Sequence, residues 1–202
     1  MRSTSIRTVS KTRIWISNCL LLAGIAAVAI WTWWTVRGAV FQSRENRAFD
    51  NQAPSALQRR SPAPPALSPK AGALVGRLVI PRLHLRAIIR EGTDDDTLDV
   101  ALGHVPGTAL PGQTGNVGIA GHRDTLFRCL GNISKNDRIM FQTTRGVYTY
   151  RVEGTSIVKP EDVGVLAPGT HSEITLITCY PFRYVGPAPS RFIVKGRLGS
   201  AQ

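Results

Sequence analysis

Residues 14–36 hold 23 consecutive positions without one charged side chain. As a helix this run would be about 34 Å long, enough to cross the hydrocarbon core of a bilayer. It therefore separates the chain into parts that fold in different solvents. Arg2, Arg7, Lys11 and Arg13 precede it with no acidic residue among them. The positive-inside rule leaves that end in the cytoplasm and the remainder outside. All four tryptophans lie in the run, Trp15 at its inner end and Trp31, Trp33 and Trp34 at its outer end, where aromatic rings settle at both interfaces. A cleaved leader is the competing reading. Its small-residue site would be Ala27-Val28-Ala29, which lies inside the run rather than after it, and the run is long for a leader's apolar core. The sequence thus predicts a basic cytoplasmic tail over 1–13, a single-pass anchor over 14–36 in the cell membrane, and an extracytoplasmic folded part.

Residues 37–72 have the makeup of a linker. They hold Pro54, Pro62, Pro64, Pro65 and Pro69, several Arg and Gln, and few apolar residues without a period. A passive spacer is expected, partly extended polyproline over 61–70, whose basic residues could meet an anionic wall or membrane lipid. The formal net charge of +12 is uneven. Residues 1–70 carry ten Lys and Arg against Glu45 and Asp50, whereas 71–202 carry 15 against 11. A nucleic-acid domain would concentrate the excess on the fold, so a nucleic-acid partner is not expected.

From 73 to 199 the pattern becomes short apolar, β-branched runs split by turn residues. Strands are expected over 74–80, 83–89, 117–121, 138–143, 146–152, 155–159, 174–180 and 192–197. About eight short strands indicate a mainly β barrel or sandwich. Helix is scarce: one or two turns over 96–102, capped by an Asp and stopped by Gly103, and a short helix over 125–130 capped by Asp124. Residues 103–115, with Pro106, Gly107, Pro111 and Gly112, read as an irregular loop. Asp94-Asp95-Asp96 invites a calcium site, but no second acidic cluster with ligand spacing accompanies it, so capping and solvated charge are expected.

Three stretches carry chemistry. The run Thr175-Leu176-Ile177-Thr178-Cys179 reads as a buried strand ended by Pro181, which sets Cys179 at the edge of a loop, rigid yet reachable. In Asn116-Val117-Gly118-Ile119-Ala120-Gly121-His122, alternation puts Val117 and Ile119 on one face. His122 shares the other face with Gly118 and Ala120, as a groove beside an imidazole would need. Arg191 opens a later strand and could meet Cys179 across a short loop, offering donors to an oxyanion; Arg183 is the alternative within the loop. His84 reads as a solvated strand residue. His104, in the Gly/Pro loop, is the one serious rival to His122. The three cysteines, Cys19, Cys129 and Cys179, make no disulfide framework or CxxC pair, and no metal is expected.

The motifs TLITC at 175–179, GHRD at 121–124 and SRFIV at 190–194 together resemble the cysteine, histidine and arginine motifs of the sortases. The stretches 103–125 and 178–194 are most similar to class D. The resemblance covers residues 73–199. It implies a closed eight-stranded barrel and a membrane-anchored cysteine transpeptidase without cofactor. Cys179 would attack a C-terminal sorting signal of the Leu-Pro-x-Thr-Gly type, and His122 would protonate the leaving amine and later deprotonate the incoming one. Arg191 would hold the substrate backbone and oxyanion. Thr178, Tyr180 and Ala120 would contact substrate, Thr178 beside the oxyanion. The amine acceptor would be a cell-wall precursor or a protein lysine. Asp124 would orient His122 or Arg123, or cap the short helix; Arg123 shares the motif without a mechanism. A thiol-dependent site also implies that Cys129 and Cys179 stay unlinked. The alternatives are a non-catalytic envelope peptide-binding module and a thiol peptidase that only hydrolyses.

Overall fold

The computed structural model describes residues 11–57 and 69–199. Arg2, Arg7 and most of the polyproline stretch lie outside the described residues. The chain divides into two compact units, 1–39 and 40–202.

In the first unit, helix α1 (Lys11–Leu57) begins. Among the described residues it is the one helix long and apolar enough to cross a membrane. Within that unit its described apolar side chains, Trp15, Leu20, Ile25 and Trp31 among them, are exposed, as a segment solvated by lipid would have them.

The second unit is a closed barrel. Its strands are β1 (Leu74–Ile80), β2 (Leu85–Glu91), β3 (Leu102–His104), β4 (Gly115–Ala120), β5 (Arg138–Thr143), β6 (Gly146–Val158), β7 (Ser172–Tyr180) and β8 (Ser190–Leu198). They pair in the order β1-β2-β3-β4-β7-β8-β6-β5, and β5 closes on β1. The β2/β3 and β4/β7 pairs are parallel and the rest antiparallel. Closure gives every one of these strands a neighbour on each side. The core is formed by alternate residues from every wall, including Leu78, Ile89, Ile119, Phe141, Tyr150, Leu176 and Val194. A short helix α2 (Asp95–Leu98) is capped by Asp94, whose side chain accepts from the Thr97 N–H. That use of the acidic run agrees with capping.

Several sequence expectations need correction. Residues 37–57 are helical rather than irregular. Within the second unit, Phe41, Gln42, Glu45, Asn46, Phe49 and Asp50 recur at helical spacing and lie against β1, β2 and the turn before β3. Gln42 donates to Val100 O and accepts from Ile88 N. Arg90 stacks over Phe41, Arg77 stacks over Phe49, and Asp50 pairs with Arg77 and Arg86. The helical period exists, but four of the six side chains are polar, so a search for apolar period misses it.

The expected strands 146–152 and 155–159 are one bent strand, β6, with a bulge between Val152 and Gly154. Conversely, β3 lies partly in the stretch read as a loop, held by β2 on one side and β4 on the other. The expected helix over 125–130 is a 3-10 turn, Leu126–Asn132, without a side-chain cap. Asp124 is exposed and does not cap it. His84 is no strand residue. It ends the 3-10 turn Pro81–Leu83 in the left-handed region, φ 51°.

Candidate active site

Strand register builds the site. β4 and β7 run parallel, with Ala120 opposite Ile177 as the last pair. Two bonds extend the junction: Gly121 N–H donates to Ile177 O at 3.1 Å, and the Thr178 hydroxyl donates to Gly121 O at 2.7 Å. His122 and Cys179 each stand two residues past that last pair, so both emerge at one rim of the barrel. On the other side of β7, Cys179 is the direct antiparallel partner of Arg191. Directly opposed residues share a face, with Cα atoms about 4.5–5.5 Å apart. Two adjacent strand pairs thus bring together the cysteine, histidine and arginine singled out in the sequence.

Alternation along β7 separates framework from chemistry. Ile174, Leu176 and Thr178 are buried, while Cys179 is half-buried. Thr178, 2% exposed, commits its hydroxyl to Gly121. Its side chain is therefore part of the framework, and only its backbone is left to meet a substrate. Tyr180 stacks on Phe192 at 6.1 Å and meets Phe182 edge-on at 5.9 Å. A groove of about 860 Å³ opens on that aromatic side, with Tyr180, Phe182, Arg86 and Cys129 in its lining. Cys179, His122 and Arg191 do not line it, because successive residues of a strand face opposite ways.

The low face beside the histidine is only partly open. A Cβ on Gly118 would stand 2.7 Å from Leu166 Cδ2 and 3.1 Å from Val105 Cβ, so Gly118 is small to admit those side chains. The turn that carries Leu166 is fastened by Asn116, which donates to Val165 O and accepts from the buried Thr175 hydroxyl. Ala120, at the end of β4, remains half-exposed.

The polar surroundings distinguish the three groups. His122 is about one-third exposed, and its Nε2 lies 4.0 Å from Asp99 Oδ1, an ion pair only when the imidazole is protonated. Asp99 stands at the end of α2, and no sequence pattern singles it out. Arg191 donates to Ala188 O and Ser190 O at the end of its own loop; a guanidinium has further N–H donors for a ligand. The described cysteines are free. Burial pushes the Cys129 thiol above its usual value, and its S–H faces Leu126 O at 3.5 Å. His104 is not a rival: it is 1% exposed and bonded to Glu91, Ala109 and Thr108. Among the described residues no group of three or more His, Cys, Asp or Glu could hold a metal ion.

Known proteins share this arrangement of strands. The family model described as the Sortase domain matches residues 78–199. Sortase D of Bacillus subtilis (strain 168) is 37% identical over 133 residues, which is 65% of this chain and 67% of that protein. Sortase A of Bacillus anthracis is 30% identical over 129 residues, 62% of this chain and 60% of that protein. Among solved structures, the SrtA sortase from Actinomyces oris superposes with a TM-score of 0.61 at 34% identity, over 69% of this chain and 88% of that one. A Clostridium perfringens Sortase D5 transpeptidase has the same fold, with a TM-score of 0.63 at 24% identity, over 81% of this chain and 98% of that one. With a sortase-domain match across the barrel and a curated relative at 37% identity, this chain belongs to the sortase family of cysteine transpeptidases.

Proposed function

We propose that this chain cleaves a C-terminal sorting signal of the Leu-Pro-x-Thr-Gly type and transfers the shortened protein to an amine. The observation that carries the reading is the register of β7, with Cys179 paired across to Arg191 and His122 at the same rim. Cys179 Sγ attacks the scissile carbonyl, and the developing oxyanion accepts hydrogen bonds from Arg191. The carbon–nitrogen bond breaks, His122 supplies a proton to the leaving amine, and a thioester remains on Cys179. An incoming amine then attacks the thioester and gives up a proton to His122, and the carbon–sulfur bond breaks to release Cys179 as thiolate beside the protonated imidazole as the new amide forms. Ala120 and the backbone of Thr178 border the site, and Tyr180 supports it from the aromatic side.

In this reading residues 1–13 are the cytoplasmic tail, 14–36 cross the cell membrane once, and the catalytic domain at 73–199 acts outside. The apolar face of α1 meets membrane lipid. The acceptor is a cell-wall precursor or a protein lysine, and nucleic acid takes no part. The similarity of the chain to Sortase D of Bacillus subtilis supports this reading.

Intact mass after incubation with a library of Leu-Pro-x-Thr-Gly-like peptides tests it. The parent should gain an acyl adduct that hydroxylamine removes, and Cys179→Ala should gain none. An equal adduct on Cys179→Ala would sink the assignment. Adding an amine should convert the released acid into an amide; unchanged acid would mark a hydrolase.

A further inference from the structure

The chemistry proposed above leaves Arg123 without a task, although it directly follows His122. Its guanidinium is committed to the loop that joins β7 to β8. It donates to Pro181 O at 3.2 Å, Tyr184 O at 2.9 Å and Gly186 O at 3.0 Å. It also lies over the Tyr184 ring, 5.7 Å from the centroid. This loop begins just after Cys179 and ends just before Arg191. Much of it is exposed; Val185 is 99% exposed. Three carbonyls over six residues converge on two nitrogens of one planar fork, a spread that a guanidinium's fixed donors match better than a compact ammonium's.

We propose that Arg123 is a positioning residue that ties the β7–β8 loop to the histidine segment and so decides whether the thioacyl group goes to an amine or to water. Consecutive residues do separate work. Gly121 fixes the segment to β7 through Ile177 and Thr178, His122 faces the rim, and Arg123 holds the loop. Releasing the loop would free the Arg191 side chain, which donates to Ala188 O in that loop, and would loosen the acceptor's approach, while the Arg191 backbone stays paired with Cys179. An amine must be oriented to attack, whereas water is abundant and needs little orientation, so loosening penalises transfer more than hydrolysis.

The inference rests on the proposed thioacyl chemistry, and the experiment separates the two. Arg123→Ala and Arg123→Lys are compared with the parent in the full chain, using the peptide that acylates the parent and a fixed amine. Expected for Arg123→Ala are a roughly 10- to 100-fold fall in kcat for transfer, a smaller change in peptide KM and a several-fold rise in the hydrolysed share. Arg123→Lys should fall between. Amide exchange over 181–189 should speed up in both variants. A merely structural loss would lower the active fraction and leave the hydrolysed share of each thioacyl group unchanged, and that result would overturn the proposal. If Arg123→Ala does not fold, Arg123→Lys with the parent's partition and exchange would overturn it equally. A parent that turns over, matched by its variants, sinks this proposal alone; a parent that forms no adduct sinks the thioacyl reading and this inference with it.

Discussion

His104 and His122 end, or nearly end, neighbouring strands of the barrel, yet their surroundings are opposite. His104 is enclosed. Its Nδ1 is 2.6 Å from Glu91 Oε2, and its Nε2 faces Ala109 O and the Thr108 hydroxyl. Thr108 in turn accepts from Gly118 N and donates to Val105 O, so the ring anchors the turn that follows β3 to the side of β4. His122 stands at the rim with its nearest carboxylate oxygen 4.0 Å away. A ring with every polar atom engaged holds structure but cannot shuttle a proton to a visitor. A ring with a free flank can. The same side chain thus serves packing or chemistry according to how completely its hydrogen bonds are satisfied.

Exchanging the two histidines' fates is the strongest way to break the comparison. His122→Asn should lower kcat/KM for transpeptidation by about 10²- to 10⁴-fold, the usual worth of a positioned acid–base group, while thermal unfolding stays near the parent's. A variant within threefold of the parent would remove His122 from the chemistry. His104→Ala should do the reverse. It leaves the buried Glu91 carboxyl without its hydrogen-bond partner, and a buried polar group left unsatisfied costs about 1–3 kcal/mol, more where it is charged. Urea denaturation reads that loss. The folded fraction should keep much of its turnover, since His104 does not reach Cys179. A stable, inactive His104→Ala would contradict the division of labour.

Sequence alone separated the two histidines on pattern, since His122 ends an alternating strand with small neighbours and His104 follows a glycine in a Gly/Pro-rich stretch. It could not show why His104 is disqualified, because Glu91 lies 13 residues earlier and the meeting depends on the parallel β2/β3 pairing. The meeting of Cys179, His122 and Arg191 at one rim was legible because each lies next to or just beyond a strand end, where short-range pattern is informative. Thr178 was legible as the neighbour of Cys179 but not as an inward-facing residue bound to Gly121. Asp99 and the contacts of Arg123 were not legible, since both arise from loops meeting across the rim. Strand count came out right through offsetting differences: β3 is too short and too glycine-bounded to show a period, and the bulge in β6 broke one strand into two. The helix over 37–57 was missed because it meets the barrel chiefly through polar side chains, whose spacing carries no hydropathy signal.

A second contrast sets the enclosed His104–Glu91 pair against Arg82 and Asp137. Here the arginine is half exposed and the carboxylate 8% exposed. Hydrogen bonds from Arg82 hold the Asp137 carboxyl below its usual value, against burial and helped by the Ser134 N–H. The folded protein therefore releases that proton more readily than the unfolded chain. Its contribution is present above the unfolded value near pH 4 and disappears as pH falls through the lower folded value. Asp137→Asn should reduce stability at pH 7 by less than His104→Ala and flatten the acid limb of the stability profile. Denaturation midpoints at pH 7 and pH 3 check this; an unchanged difference between them would show that another carboxylate governs the limb.

The cysteines give the smallest and sharpest version of the comparison. Cys129 is half-buried, packs against the core and has its thiol pushed up by burial, whereas Cys179 stands opposite a guanidinium-bearing residue at the rim. Thiolate is the reactive form, so a cysteine whose thiolate is disfavoured by desolvation alkylates slowly. Iodoacetamide at pH 8 followed by peptide mapping should modify Cys179 well before Cys129. Cys129→Ala should leave transpeptidation within about twofold and cost about 1 kcal/mol, the size expected for a small, partly exposed side chain. Faster labelling at Cys129 would mean that the Leu126–Asn132 turn opens more readily than its packing against Phe182 suggests. Equal loss of transfer in Cys129→Ala and Cys179→Ala would move the reactive sulfur to the aromatic side of β7, into the groove that Cys129 lines, and would overturn the distinction between a core thiol and a rim thiol.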